Sequence, residues 1–123
     1  MKFLYKWLPI LCGCHRRADR SFFYKGKQFP VCARCTGEIL GIVIGFVLWF
    51  IKPPTFIFSL CLLIPMIIDG FLQLLTSYES HNITRLITGT LFGFGFISLI
   101  IISHVYIFEK GYHLGQKIST SRL

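Results

Sequence analysis

Residues 12–41 read CGCHRRADRSFFYKGKQFPVCARCTGEILG, and the organisation of the whole chain follows from this stretch. It holds four of the five cysteines, one of the four histidines and six of the thirteen Lys/Arg, and it ends where the first long apolar run begins. A segment dense in soft ligands and positive charge thus stands at the threshold of a hydrophobic helix. Its second half, Cys32-Ala33-Arg34-Cys35-Thr36-Gly37, is a CxxC knuckle, and its first half offers Cys12, Cys14 and His15. Between them, Ser21-Phe22-Phe23-Tyr24 and Gln28-Phe29-Pro30-Val31 are β-prone runs around Lys25-Gly26-Lys27, a pattern that predicts a short hairpin. Such a hairpin folds the chain back and brings Cys14 and His15 towards Cys32 and Cys35.

Outward from this stretch the chain is apolar. Of its 123 residues 54% are hydrophobic, thirteen of them Phe, above the ~45–50% usual for soluble domains. A soluble domain of this size has too much surface to hide that load. The expected fold is therefore an all-α membrane protein with about three transmembrane helices, a short N-terminal interfacial helix and a cytoplasmic Cys/His knuckle carrying a small hairpin. The spans are expected at residues 35–51, 55–75 and 86–108, each a predominantly apolar run near membrane length. Pro65 is expected to kink the second span, and Cys61 reads as a buried packing residue. Gly37, Gly41 and Gly45 form a small-xxx-small stripe, and Gly89 with Gly93 a second, so close helix packing is expected at both. Residues 1–13 are too short to span. Phe3, Leu4, Trp7, Leu8 and Leu11 can share one helical face, with Lys2 and Lys6 on another, which suits either an interfacial segment or a lid over the cysteines. This segment lacks a clean apolar core and a small-x-small cleavage site, so it is not read as a signal peptide. Residues 109–123 read as a polar, frayed tail.

The net charge is +8, but most basic residues flank apolar runs. That favours membrane lipid as the partner, and no nucleic acid is expected. Residues 14–34 form the basic Cys/His segment, whose excess of Lys/Arg over acid places it on the cytoplasmic side of the cell membrane by the positive-inside bias. Glu38, Asp69, Gln73, the 76–85 loop and Arg85 then converge on that same face. Cysteines on a reducing side are poor candidates for structural disulfides, which leaves metal binding or reversible thiol chemistry.

A tetrahedral zinc site takes four N or S ligands, commonly two from each of two tight turns. Cys32 and Cys35 supply one pair. The second pair is Cys14 with His15, or Cys12 with His15, or Cys12 with Cys14. The competing use of the CxxC pair is thiol redox chemistry, since a helix start and Arg34 both favour a thiolate. Asp69 and Arg85, at similar depth on neighbouring spans, are expected to pair. A sharper reading makes Asp69, Gln73, Asn82 and Arg85 a polar pocket roofed by the cysteine segment. Arg16, Arg20 and Arg34 would there hold an anionic or lipid-phosphate ligand, guanidinium being suited to bidentate phosphate binding.

Cys14-His15-Arg16, Arg20-Ser21-Phe22, Pro30-Val31-Cys32-Ala33-Arg34-Cys35-Thr36-Gly37, Asp69-Gly70 with Gln73, and Ser80-x-Asn82-x-x-Arg85-x-x-Thr88-Gly89 occur in this order. In these residues the chain resembles the small prokaryotic membrane proteins grouped as domain of unknown function 2085. The resemblance covers roughly residues 14–95, and Cys-Ala-Arg-Cys-Thr-Gly is its most specific part. It implies no activity. It does imply that Cys14, His15, Cys32, Cys35, Asp69, Gln73, Asn82 and Arg85 belong to one signature, which favours Cys14 over Cys12 as a ligand. His81 departs from the signature, which carries Asn there, and adds a further candidate ligand.

Three functional classes remain open at this level. One is a zinc-binding membrane module. Another is a membrane enzyme, metal-dependent or using the CxxC thiols, acting on a lipid-linked substrate. The last is a small transporter or channel subunit with Asp69 and Gln73 on its path. The glycine stripes also make a homo-oligomer an expectation. The chain shows no serine triad, phosphate-binding glycine loop or paired catalytic carboxylates.

Overall fold

The computed structural model describes residues 2–14 and 17–121. His15 and Arg16 therefore lie outside the described residues, as do the metal-ligand and anion-binding expectations attached to them. In order, the elements are helix α1 (Lys2–Leu11), strands β1 (Ser21–Tyr24) and β2 (Lys27–Cys32), and helices α2 (Ala33–Trp49), α3 (Phe56–Cys61), α4 (Ile64–Leu75) and α5 (Asn82–Ser121).

Helix α1 ends in a way that aims the first cysteines. Gly13 takes a positive φ of 59°; its N–H bonds the Ile10 carbonyl at 3.2 Å, and the Cys14 N–H reaches back to the Pro9 carbonyl at 2.8 Å. This pair of bonds is the Schellman arrangement, in which a left-handed glycine closes the last turn and reverses the chain. Phe3, Trp7, Ile10 and Leu11 stay exposed, while the helix packs on β2. The expected hairpin is present: β1 and β2 pair antiparallel, with Tyr24 opposite Lys27 and Ser21 opposite Cys32. Its two-residue loop, Lys25-Gly26, has φ of 49° and 74°, the double left-handed turn that matches the twist of hairpin strands. Strand β2 runs directly into α2, so the hairpin delivers Cys32 to the helix start.

The three long helical passes alternate in direction. A Cβ added to Gly37 would lie 2.3 Å from the Leu86 carbonyl oxygen, and one on Gly41 would lie 2.1 Å from that of Thr90. Reciprocally, Gly89 faces the Arg34 carbonyl at 2.4 Å and Gly93 that of Glu38 at 2.2 Å. Helices α2 and α5 thus run parallel, with each glycine stripe seated on the other's backbone. The stripes read as assembly surfaces are occupied within the chain. The α3–α4 pass runs the other way: Ser59 near its start faces Gly95, whereas Asp69 further on meets Arg34 and Ser80. The pass breaks at Leu62–Leu63, ahead of Pro65, because proline cannot donate the hydrogen bond that would continue the helix there.

The burial pattern is inverted relative to a soluble protein. The buried positions include Ser59, Asp69, Ser80, Arg85, Thr88 and Ser98, whereas Phe46, Ile57, Ile67, Phe71 and Ile107 face outward. A continuous apolar exterior over a small and polar interior is what a lipid solvent selects. Two passes, Phe56–Leu75 and Asn82–Ser121, are long and apolar enough to cross a membrane. Helix α2 has 17 residues, just under that length.

Three expectations change. Cys61 is exposed on the apolar exterior instead of buried, because it ends α3 on the face turned away from α2 and α5. The tail after residue 108 continues α5 as helix through Ser121 instead of fraying. Helix α5 also begins at Asn82, so Asn82 and Arg85 occupy its first turn and not a loop.

Candidate functional site

The hairpin, the α1 turn and the start of α2 bring three sulfurs together. The Sγ atoms of Cys14, Cys32 and Cys35 all lie within 4.8 Å of one another. Cys32 caps α2 and Cys35 stands in its first turn, with their sulfurs 3.5 Å apart. The Cys32 backbone N–H donates to the Cys14 sulfur at 3.2 Å, and the Thr36 hydroxyl ties the turn by donating to the Cys32 carbonyl at 3.0 Å. Sulfurs sharing one tetrahedral zinc with Zn–S bonds of about 2.3 Å lie about 3.8 Å apart. The Cys32–Cys35 separation is already close to that edge, so this donor set fits a thiophilic ion with little movement. A trio of thiolates favours zinc, or a soft ion such as copper(I), over hard cations.

The electrostatics of the cap divide the thiols. The Cys35 thiol, then the backbone N–H groups of Cys35 and Arg34 with the Cys14 side chain, stabilise a thiolate on Cys32 against desolvation, lowering its pKa to about 5. Burial, followed by the nearby Glu38 carboxylate, pushes the Cys12 thiol up. Among the described residues Cys12 does not belong to the sulfur trio. In metal-stripped protein at about pH 6.5, Cys32 is expected to alkylate with iodoacetamide several-fold faster than Cys12. The thiolate fraction outweighs the lower nucleophilicity of a low-pKa sulfur. Peptide mapping by mass spectrometry reads this directly, and equal labelling of the two would contradict the assignment.

A polar chain lies immediately below the sulfurs. Arg34, between the two CxxC cysteines, donates from Nη2 to Asp69 Oδ2. Gln73 Nε2 donates to the same oxygen at 2.8 Å and to Ser80 Oγ at 2.8 Å. The Ser80 hydroxyl bonds Asp69 Oδ2 at 3.4 Å and accepts from Arg85 Nε at 3.0 Å. Asp69 is 6% exposed and Arg85 4%. The expected Asp69–Arg85 ion pair is therefore replaced by an Asp69–Arg34 pair, with Ser80 standing between Asp69 and Arg85. The parallel packing of α2 on α5 places Arg34 beside Asp69, and this register is not visible in either segment alone.

Arg20 lies to one side of this chain. Its guanidinium is held by Glu79 at 3.3 Å and Asp19 at 3.6 Å, so it is engaged with carboxylates. Asn82 makes no hydrogen bond through its side chain among the described residues, and it borders a recess of about 330 Å³ together with Ser80, His81 and Arg85. Ser80 and Glu79 are the site residues that sequence reasoning passed over. Ser80 sits in the Ser-x-Asn-x-x-Arg string, but a serine in a loop reads as solvated until two buried charges are found on either side of it.

Family comparison agrees with this geometry in extent. The model of the family described as "Predicted membrane protein (DUF2085)" matches residues 14–99, from Cys14 through the glycine-packed half of α5. An uncharacterized protein of Methanothermobacter thermautotrophicus is 40% identical over 100 residues, covering 76% of this chain and 90% of the relative. An uncharacterized protein of Methanocaldococcus jannaschii is 39% identical over 95 residues, covering 72% of this chain and 61% of the relative. No solved structure matches. On the extent of that match, which contains the cysteine trio, the Arg34–Asp69–Ser80–Arg85 chain and the paired glycine stripes, the chain belongs to the DUF2085 family of predicted membrane proteins.

Proposed function

We infer that this is a multi-pass membrane protein that binds zinc in its cysteine cap, through Cys14, Cys32 and Cys35 with His15 or Cys12 completing the site. The observation that carries this reading is the convergence of three sulfurs from three separate elements. Two of the thiols belong to one CxxC turn and the third is brought from the end of α1, with no disulfide among the described cysteines, so a preformed donor set is available to an ion. In the same reading α2 is a third crossing, since α5 holds it parallel along its length. The basic cap then faces the cytoplasm, where thiols remain reduced. The polar residues beneath the cap are a pocket for an anionic or lipid-phosphate ligand, and the bound metal fixes Arg34 and the cap above it.

The test is elemental analysis of protein purified in mild detergent without chelator, wild type beside Cys32→Ser/Cys35→Ser. About one zinc per chain, absent from the double variant, is the expected result. No metal in either sample overturns the reading.

A second reading is favoured by the lowered pKa of Cys32 and its 3.5 Å approach to Cys35. In it the Cys32 thiolate attacks a protein or low-molecular-weight disulfide and expels one thiolate. Cys35, losing its proton, then resolves the mixed disulfide and expels Cys32's partner as the second thiolate. The pair is oxidised and the partner disulfide is reduced. Metal-free protein with a reproducible dithiol–disulfide potential selects this reading over zinc.

A further inference from the structure

The geometry points to Arg85 as the receptor for a phosphate-type oxyanion, bound in the recess at the start of α5. The inference rests on the reading of the polar residues as a ligand pocket and is independent of the metal. It narrows that pocket from a broad set of residues to one cation and one chemical class.

The argument begins with the guanidinium groups of the cap. Arg17 is paired with Asp19 at 3.3 Å, Arg20 with Glu79 at 3.3 Å, and Arg34 with Asp69. Arg85 is paired with no carboxylate among the described residues. Its one side-chain hydrogen bond there runs from Nε to the Ser80 hydroxyl, which leaves both terminal nitrogens without an acceptor among the described residues. Yet Arg85, at 4% exposure, is the cation for which pairing matters most. Neither terminal nitrogen is among the fully buried polar atoms that lack a partner, so both keep accessible surface, and a guanidinium that is always charged has one neutral hydroxyl as its side-chain acceptor among the described residues. The site is an unfilled demand for negative charge.

The recess supplies space for that charge. It measures about 330 Å³ and is bordered by Asp19, Glu79, Ser80, His81, Asn82 and Arg85. Its two carboxylates stand at the exposed rim, with side chains 49% and 69% exposed, and both are already held by Arg17 or Arg20. Its floor is Ser80 and Arg85, both buried. The Asn82 amide and the His81 ring make no side-chain hydrogen bond among the described residues and are free to donate. The opening N–H groups of the 40-residue helix α5 add their positive end at the same place. A forked guanidinium with an amide, an imidazole and a helix start around it suits a tetrahedral oxyanion with several acceptor oxygens better than a single carboxylate. Inorganic phosphate and a phospholipid headgroup share this chemistry.

The test uses full-length protein in non-ionic detergent and reads its melting temperature at matched ionic strength. One arm adds sodium phosphate against sodium chloride; the other adds phosphatidic acid against phosphatidylcholine in mixed micelles. Wild type is expected to melt several degrees higher in at least one arm, as ligand binding to the folded state requires. A response to both additions assigns the site to the phosphate group itself, and a response to phosphatidic acid alone assigns it to the lipid headgroup. Arg85→Gln should remove the response without lowering the ligand-free melting temperature. Asn82→Asp, which places a carboxylate in the recess, should raise the ligand-free melting temperature and also remove the response; it decides the matter if Arg85→Gln does not fold. No response in wild type overturns the site and the ligand-pocket reading together. A response that survives Arg85→Gln or Asn82→Asp but is lost in Arg20→Gln overturns Arg85 and retains a ligand pocket elsewhere in the cap. Zinc content of the same samples reports on the metal reading separately.

Discussion

Gly41→Leu is expected to abolish the native helix packing. The glycine has no spare volume: even a methyl carbon there would sit 2.1 Å from the Thr90 carbonyl oxygen and 2.8 Å from the Phe94 nitrogen. Both neighbours are backbone atoms of α5, so no side chain can rotate aside, and the helices themselves must separate. Overpacking a core usually costs about 1–3 kcal/mol, where side chains can adjust. Separating α2 from α5 would in addition lift Gly37, Gly45, Gly89 and Gly93 from their contacts, a cost comparable with the ~5–15 kcal/mol total stability of a typical domain. In lipid, where apolar side chains gain little by meeting each other, this close packing is what holds the helices together. The measurement is thermal melting in detergent with size-exclusion chromatography. Gly111→Leu serves as the control, because a Cβ there meets nothing within 4 Å. If Gly41→Leu melts with the wild type while remaining monodisperse, the glycine interlock is wrong.

The same interlock explains which parts of the molecule the sequence discloses. The hairpin was legible because it is local: Lys25-Gly26 between two β-prone runs specifies its own turn. The meeting of Cys14 with Cys32 and Cys35 followed from that hairpin, although the Schellman turn at Gly13 that aims Cys14 carries no message in residue spacing alone. The partner of Asp69 was not legible. Arg34 and Arg85 stand at similar depth, and only the register of α2 on α5, set by carbonyl contacts at Gly89 and Gly93, places Arg34 first. The persistence of α5 past residue 108 has a different cause. Judged alone, Gly111 and Gly115 weaken that segment as a helix, but the preceding turns already supply the nucleus, so each further residue needs only propagation. Cys61 was misjudged because a cysteine among apolar residues reads as core, and in a chain that faces outward to lipid the apolar surface is the exterior.

Asp69→Leu is expected to cost about 3–5 kcal/mol, the range for removing one partner of a buried ion pair. Asp69 Oδ2 is the shared acceptor for Arg34, Gln73 and Ser80, so one substitution leaves the Arg34 guanidinium without its carboxylate and removes an acceptor from Ser80 and from Gln73, which keeps only its bond to Ser80. The loss should not be a simple cavity effect, and a second substitution separates the two. Arg34→Leu added to Asp69→Leu removes the stranded cation as well, and replacing both members of a buried pair with apolar groups is often close to neutral. The double variant should therefore regain much of the stability that the single variant loses, a coupling readable as a double-mutant cycle from melting temperatures or denaturant midpoints. If the cysteine cap holds zinc as proposed, the consequence extends to that site because Arg34 lies inside the CxxC turn. With Asp69 gone the turn loses its anchor on α4, and zinc retained through dialysis against a weak chelator should fall in Asp69→Leu while Cys14, Cys32 and Cys35 remain intact. Equal destabilisation of the single and double variants would show that the Arg34–Asp69 contact is not what couples the cap to the helices. Unchanged zinc retention would show that the cap holds its metal without help from the polar chain beneath it.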